Sequence, residues 1–329
     1  MNVAVVGLGS IGRRHAKNLL RTGAVHVTAV RSSLSGNDLG VPEVTHLADA
    51  GADAAIVCTP TARHVEALRA ASALGIAVLA EKPLVSRREH AATVADLFDG
   101  YRAPARVAFN MRFHPSVEIA RSWVASGRIG PIRYGRFTVG QYLPDWHPGT
   151  DHLLGYSARA ELGGGVALDL IHELDLSEWL CGHRVGGISG LMARVGDVTV
   201  DTEDVAEFVF RSASGAVVSV HLDYLFRGYR RAFELVGANG AIVVDLAAAS
   251  AALLDHRGHT VAEEAAAGYD RNRMYERALE DFLSECRGEN DAPTLPSFAD
   301  SMTALTSVFL LKDSNEADPT LCPPAPGVG

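Results

Sequence analysis

The chain has 329 residues, 47% hydrophobic and 21% charged, a composition that suits folded domains and gives no ground for disorder. Its formal charge of −9 comes without a basic block, which argues against a nucleic-acid surface or a basic membrane anchor, and no apolar run reaches the ~18 residues of a transmembrane helix. Cys58, Cys181, Cys286 and Cys322 form no CxxC pair, and Met1 to Gly9 reads as a strand and turn rather than a signal peptide, so the expected location is a reducing cytoplasm.

Short β-rich runs alternate with helical stretches from Asn2 to Asn110. Asn2 to Val6, Val25 to Val30, Ala54 to Cys58, Ala77 to Ala80 and Arg106 to Phe109 read as strands. Ile11 to Arg21, Ala62 to Leu74 and Arg87 to Phe98 carry apolar residues at helical spacing. This alternation predicts a doubly wound parallel sheet, a Rossmann α/β domain. After a linking helix near Pro115 to Ser126, Ile132 to Tyr142, Asp204 to Arg211, Ala216 to Tyr224 and Arg231 to Val236 read as longer strands. The turns Ser212 to Gly215 and Ala238 to Gly240 make them antiparallel. A helix entered through three glycines is expected over Gly163 to Trp179, and helices near Arg271 to Cys286 and Ser297 to Asn315 close the chain, with a frayed Pro-rich end from Asp318. The expected division is a dinucleotide-binding domain at 1–118 and, at 119–329, an α+β substrate and oligomerisation domain with a large open, mainly antiparallel sheet.

Gly7-Leu8-Gly9-Ser10-Ile11-Gly12 follows an apolar strand and opens a helix, the context that makes a GxGxxG match informative. The first glycine allows the tight turn and the second lets a pyrophosphate approach. The third lets helix pack on strand, while Ser10 and Ile11 bring backbone amides to the anion. The second strand ends in Arg31-Ser32-Ser33, where an NAD site would place a carboxylate for the ribose. A guanidinium and two hydroxyls suit a 2′-phosphate, so NADP is favoured, with NAD as the alternative.

Three further segments accumulate: Cys58-Thr59-Pro60 with His64, Glu81-Lys82-Pro83-Leu84, and Gly163-Gly164-Gly165 leading to Asp169 and His172. In this order, behind the glycine turn, nearly the whole chain resembles the Gfo/Idh/MocA oxidoreductases, NAD(P)-dependent enzymes of sugars, cyclitols and related polyols. The resemblance implies that Lys82 lies at the active site, and that Cys58, Thr59, Pro60, His64, Glu81 and Asn110 line the cofactor. Asp169 and His172, three apart on one expected helix, would share a face. Alone such a pair is more often an ordinary polar face; the glycine run and Lys82 reverse that. An imidazole, with an ordinary pKa of ~6.5, can accept a hydroxyl proton as hydride leaves the same carbon. His172 is therefore the expected general base and Asp169 its partner, with Asp175 as rival. Many family members space aspartate and histidine by four, so His172 carries over more securely than Asp169.

Asn110-Met111-Arg112-Phe113-His114-Pro115 matches the family stretch running into the substrate pocket, with Met111 and Arg112 as contacts. Trp146, His147 and Tyr156 belong to a polar, aromatic loop of the kind that shapes sugar pockets. No HExxH occurs and the closest histidine pairs lie in expected loops, so no metal is expected. The implied activity is that of a dehydrogenase or ketoreductase acting on a sugar, amino sugar, nucleotide sugar or cyclitol. The alternatives are a dinucleotide-sensing or sugar-sensing regulatory protein and a dinucleotide-dependent glycosidase. An open sheet face implies a homodimer or homotetramer.

Overall fold

The computed structural model describes residues 1–146, 149 and 152–317; His147 and the Pro-rich end from Asp318 lie outside the described residues. The chain divides into two compact units, 1–110 with 271–302, and 111–270 with the chain from 303 onward.

In the first unit, β1 (Asn2–Val6), β2 (His26–Val30), β3 (Glu43–Val44), β4 (Ala54–Val57), β5 (Ala77–Ala80) and β6 (Ala105–Val107) form one parallel sheet in the order β3-β2-β1-β4-β5-β6. Every residue of β4 and β5 is buried, because a parallel sheet is covered on both faces and its central strands must be apolar throughout. The crossovers are α1 (Ser10–Thr22), α2 (His64–Leu74) and α3 (Arg88–Leu97). Strand order reverses between β1 and β4. In open α/β sheets that is where ligands sit, beyond the carboxyl ends of the strands.

The first unit is not a single stretch ending near residue 118. α7 (Asn272–Cys286) packs on α1. Arg106 of β6 holds Glu285 through two hydrogen bonds of 2.8 and 2.5 Å and forms an antiparallel bridge with Ser297, and Phe298 stands edge-on to Phe98. The outer strand of the parallel sheet is thus completed by chain made more than 160 residues later.

In the second unit, β7 (Ile132–Gln141), β8 (Arg184–Ala193), β9 (Val205–Ser212), β10 (Val217–Asp223), β11 (Tyr229–Gly237), β12 (Gly240–Asp245), β13 (Ser250–Asp255) and β14 (Thr260–Ala265) form one sheet, ordered β14-β13-β12-β11-β7-β10-β9-β8. Only β7 and β10 pair in parallel. Alternation sets two faces: Ala206, Phe208 and Phe210 of β9 point inward, whereas Glu207, Val209 and Arg211 are exposed. α4 (Pro115–Ala125) packs on β12 and β13, while α5 (Val166–Asp169) and α6 (His172–Cys181) pack on the central strands. α8 (Phe298–Ala317) closes the described chain.

The helix expected over 163–179 is two helices. The amide of Leu170 donates to Val166 O in the helical pattern, but Glu173 N reaches Leu170 O, a tighter three-residue step that separates α5 from α6. Asp169 ends one helix and His172 starts the next, so their spacing does not place them on one helical face.

On the exposed side of the sheet, His221 of β10 faces Glu207 Oε1 at 2.5 Å and Asp223 Oδ2 at 2.9 Å. These carboxylates, Asp223 first, raise the imidazole from 6.5 to about 9. A raised pKa stabilises the fold below the unfolded value, so this contribution is full below about 6.5 and is lost as pH climbs through about 9. Thermal midpoints of the wild type and His221→Gln should therefore differ at pH 6 and converge by pH 9.5. A gap independent of pH would refute the assignment.

Candidate active site

In the first unit the expected cofactor residues all stand at carboxyl ends of parallel strands. Gly7 to Gly12 follow β1, Arg31 to Ser33 follow β2, Cys58 to His64 follow β4, Glu81 and Lys82 follow β5, and Asn110 follows β6. The glycines divide the work as their positions demand. Gly7, at φ +92°, packs on the Cys58 and Thr59 backbone, and a Cβ on Gly12 would lie 2.0 Å from Gly7 O. Gly9 instead has nothing within 4 Å of where its Cβ would be. The tight positions close the turn, and the open one leaves a cradle in front of the α1 amides, with no acidic residue in the first turn to oppose an anion.

Across the switch point, the Thr59 hydroxyl is buried, and among the described residues none hydrogen-bonds it. An open glycine and an unsatisfied buried hydroxyl on either side of the switch point suit a bound dinucleotide. Cys58 serves as backing: burial, then nearby Glu81, pushes its thiol well up, and its Cβ side meets Gly12.

His64 does not face open space. It is 1% exposed, with Nδ1 3.0 Å from Leu84 O and Nε2 2.9 Å from Thr59 O, tying the loop after β4 to the loop after β5. Burial pushes its pKa down, against the pull of those carbonyls. Glu81 is held by His15, whose Nε2 lies 2.7 Å from Glu81 Oε1, while Glu81 Oε2 accepts from the Lys82 amide at 3.3 Å. His15 went unremarked in the sequence, where its only signal is its place one helical step after Gly12. Lys82 itself is half-buried.

Arg31 donates from Nη1 to Glu43 Oε1 at 2.6 Å and to Gly36 O at 3.0 Å. Glu43 also accepts from the Gly36 amide and from Asn37, and Asn37, then Arg31, hold its carboxyl below the usual range. Ser32 and Ser33 are exposed.

In the second unit, the Asp169 carboxylate collects three hydroxyls: Tyr156, Ser157 at 2.5 Å and Tyr224 at 3.1 Å. Burial, with Asp169 beside it, keeps the Tyr224 phenol far above its ordinary pKa and so a donor. Trp146 stands edge-on to Tyr224 and donates to Gln141 O at 3.1 Å. Trp146, Tyr156 and Asp169 are therefore one cluster. Ser157 belongs to the same polar loop as Tyr156 but was not carried as a site residue, and Tyr224, which arrives just after β10, had no local signal. The glycine run permits this packing, because a Cβ on Gly164 would fall 2.2 Å from Tyr156 O and one on Gly165 would meet Glu203.

Asp175 is engaged elsewhere. Arg112, expected to contact substrate, grips it through Nε at 2.9 Å and Nη2 at 2.6 Å and lies over the Trp179 ring. Burial pushes the Asp175 carboxyl up and Arg112 pulls it back. Met111 is buried at 3%. His172, 7% exposed, opens α6, and the next residue, Glu173, pairs with Arg231 of β11 at 2.6 and 2.7 Å. Among the described residues, no group of three or more His, Cys, Asp or Glu could hold a metal ion, and no helix is long and apolar enough to cross a membrane.

Residues 1–109 match the oxidoreductase family with an NAD-binding Rossmann fold, and residues 117–243 match the GFO/IDH/MocA C-terminal domain, together most of the chain. The chain belongs to the GFO/IDH/MocA oxidoreductase family. It is 28% identical over 264 residues to scyllo-inositol 2-dehydrogenase (NAD(+)) of Bacillus subtilis, covering 73% of this chain and 72% of that one. Its fold is that of a levoglucosan dehydrogenase solved in complex with NADH, at TM-score 0.83, 21% identity and coverage of 96% and 97%. UDP-N-acetylglucosamine 3-dehydrogenase GnnA from Acidithiobacillus ferrooxidans shares it at TM-score 0.77 and 20% identity, covering 96% of this chain and 98% of that one. The GFO/IDH/MocA assignment accounts for both the parallel sheet of the first unit and the large, mostly antiparallel sheet of the second.

Proposed function

We propose that this chain is an NAD(P)-dependent dehydrogenase or ketoreductase acting on a secondary alcohol or ketone carbon of a sugar, amino sugar, nucleotide sugar or cyclitol. The observation that carries it is the glycine turn, closed at Gly7 and Gly12 and open at Gly9, with the unsatisfied Thr59 hydroxyl at the end of the strand on the other side of the switch point. The polyol class is supported by the inositol dehydrogenases and the levoglucosan dehydrogenase among its relatives. The nicotinamide supplies the hydride acceptor or donor. His172 takes the proton of the substrate hydroxyl in oxidation and returns it in reduction, and Lys82 hydrogen-bonds the reacting oxygen. Asp169 orders the loop of Tyr156 and Ser157 rather than moving a proton, since its oxygens already accept three hydroxyls. Following nicotinamide absorbance with NAD or NADP, oxidised and reduced, against a panel of cyclitols, sugars and nucleotide sugars tests the activity. Dinucleotide binding with no turnover across the panel would favour a sensing protein. Glycoside cleavage with no net change in reduced nicotinamide would favour a glycosidase.

NADP is the proposed cofactor, on the strength of Arg31, Ser32 and Ser33 beyond β2. Glu43 opposes it by occupying part of the guanidinium. Hydrogen bonds to charged groups contribute about 1.5–3 kcal/mol. Arg31→Asp should thus shift the ratio of NADPH to NADH dissociation constants roughly ten- to hundredfold toward NADH. Glu43→Gln should move it the other way. Fluorescence titration of both reduced cofactors measures this, and an unmoved ratio in Arg31→Asp would return the choice to NAD.

The open face of the second unit's sheet exposes Val209, Val217 and Val243 to 43–44%. We infer that it pairs with a second copy to give a homodimer or homotetramer. A monomeric mass by light scattering would refute this.

A further inference from the structure

The first turn of α6 carries an arrangement that the chemistry above does not use. Glu173 and Asp175 flank His172, and each is buried and bound by a two-pronged guanidinium. Arg231 of β11 holds Glu173 at 2.6 and 2.7 Å, with 7% and 3% of the two side chains exposed. Arg112, from the turn before α4, holds Asp175 at 2.9 and 2.6 Å, with 10% and 4% exposed. An α-helix advances about 100° per residue, so Glu173 stands about 100° to one side of His172 and Asp175 about 60° to the other. The imidazole leaves the helix between two anchored carboxylates. Its helix needs such anchoring: the tightened step before it cuts it from α5, and Ile171 at its start gives no side-chain cap.

We propose that Arg231–Glu173 and Arg112–Asp175 are positioning pairs that fix the rotation of α6 about its axis and thereby the aim of His172. In this role the pairs act through the helix rather than on the reacting atoms. Planar two-bond guanidinium–carboxylate pairs suit this role because they resist twisting, whereas a lysine would hold the same charge at a single point. The catalytic consequence rests on His172 being the proposed base; the positioning itself does not.

The test uses the full chain with ¹³C-labelled histidine, the His172 ring signal being assigned by its loss in His172→Asn. In the wild type one sharp His172 signal is expected. In Arg231→Lys, which keeps the charge and loses the fork, that signal should double or broaden while the signals of His15 and His64 stay in place. On whichever panel polyol the wild type turns over fastest, kcat should fall roughly ten- to hundredfold with KM little changed, as misaimed catalytic groups behave. Glu173→Gln, which keeps the shape but can accept only one of the two guanidinium hydrogen bonds, should also broaden the His172 signal, less than Glu173→Ala does, and it replaces Arg231→Lys should the latter not fold. An unchanged His172 signal in a folded Arg231→Lys overturns the positioning proposal. A changed signal with unchanged kcat leaves the positioning intact and overturns His172 as base.

Discussion

His172→Asn is expected to lower kcat by roughly 10²- to 10⁴-fold, the usual worth of a positioned proton acceptor, and to leave the dinucleotide dissociation constant as it was. Asparagine keeps hydrogen-bonding capacity near the same volume but cannot accept a proton at neutral pH. The neighbouring carboxylates have other work: Asp169 accepts from Tyr156, Ser157 and Tyr224, and Asp175 is held by Arg112. Asp169→Asn should by contrast disturb the order of the 156–157 loop, raising KM more than it lowers kcat. Steady-state kinetics with fluorescence titration of the cofactor separate the two. Near-normal turnover by His172→Asn would remove it from the mechanism.

The second large effect separates two glycines of one turn. Gly12→Ala would set a methyl 2.0 Å from Gly7 O, a backbone atom that cannot swing aside, so the turn must open. Overpacking of this kind costs about 1–3 kcal/mol, and the thermal midpoint should fall together with cofactor affinity. Gly9→Ala meets nothing within 4 Å, and its φ of −72° suits any residue. The fold should not register it. The methyl would stand where a pyrophosphate must approach, so the dissociation constant should rise at least about tenfold at an unchanged midpoint. Calorimetry and cofactor titration read both quantities, and Gly9→Ala binding as tightly as wild type would argue that the cradle is not the phosphate site.

Much of this architecture is written in local signals. Five of the six parallel strands and their helices end within a residue or two of where hydrophobic periodicity puts them, β4 and β5 because runs such as Ala54 to Val57 have no polar side chain to compromise the pattern, whereas the two-residue β3 was not anticipated. What escaped was decided at a distance. Ser250 to Asp255 is rich in alanine and leucine and has no alternation, yet it is β13 because β12 and β14 pair with it on either side. β8 contains Gly186, Gly187 and Gly190, poor strand formers; the last permits close approach, since a Cβ there would fall 1.8 Å from Glu207 O. The uninterrupted helix expected through Asp169 and His172 had good propensity throughout, and its division coincides with hydroxyls that reach Asp169 from as far as 55 residues away. Among the site residues, Arg112 shows the same limit: the type of side chain was legible, but not that Asp175 would claim it.

The late return of residues 271–302 to the first unit bears on how the protein is made. A ribosome releases Asn2 through Asn110 early, with all six strands of the parallel sheet present. At that moment β6 lacks Glu285 for Arg106 and Ser297 for its outer edge, α1 lacks α7, and Phe98 lacks Phe298. The 160 residues from 111 to 270 are synthesised before those partners emerge, so the nucleotide-binding half, first in sequence, cannot be finished until most of the other unit has been made.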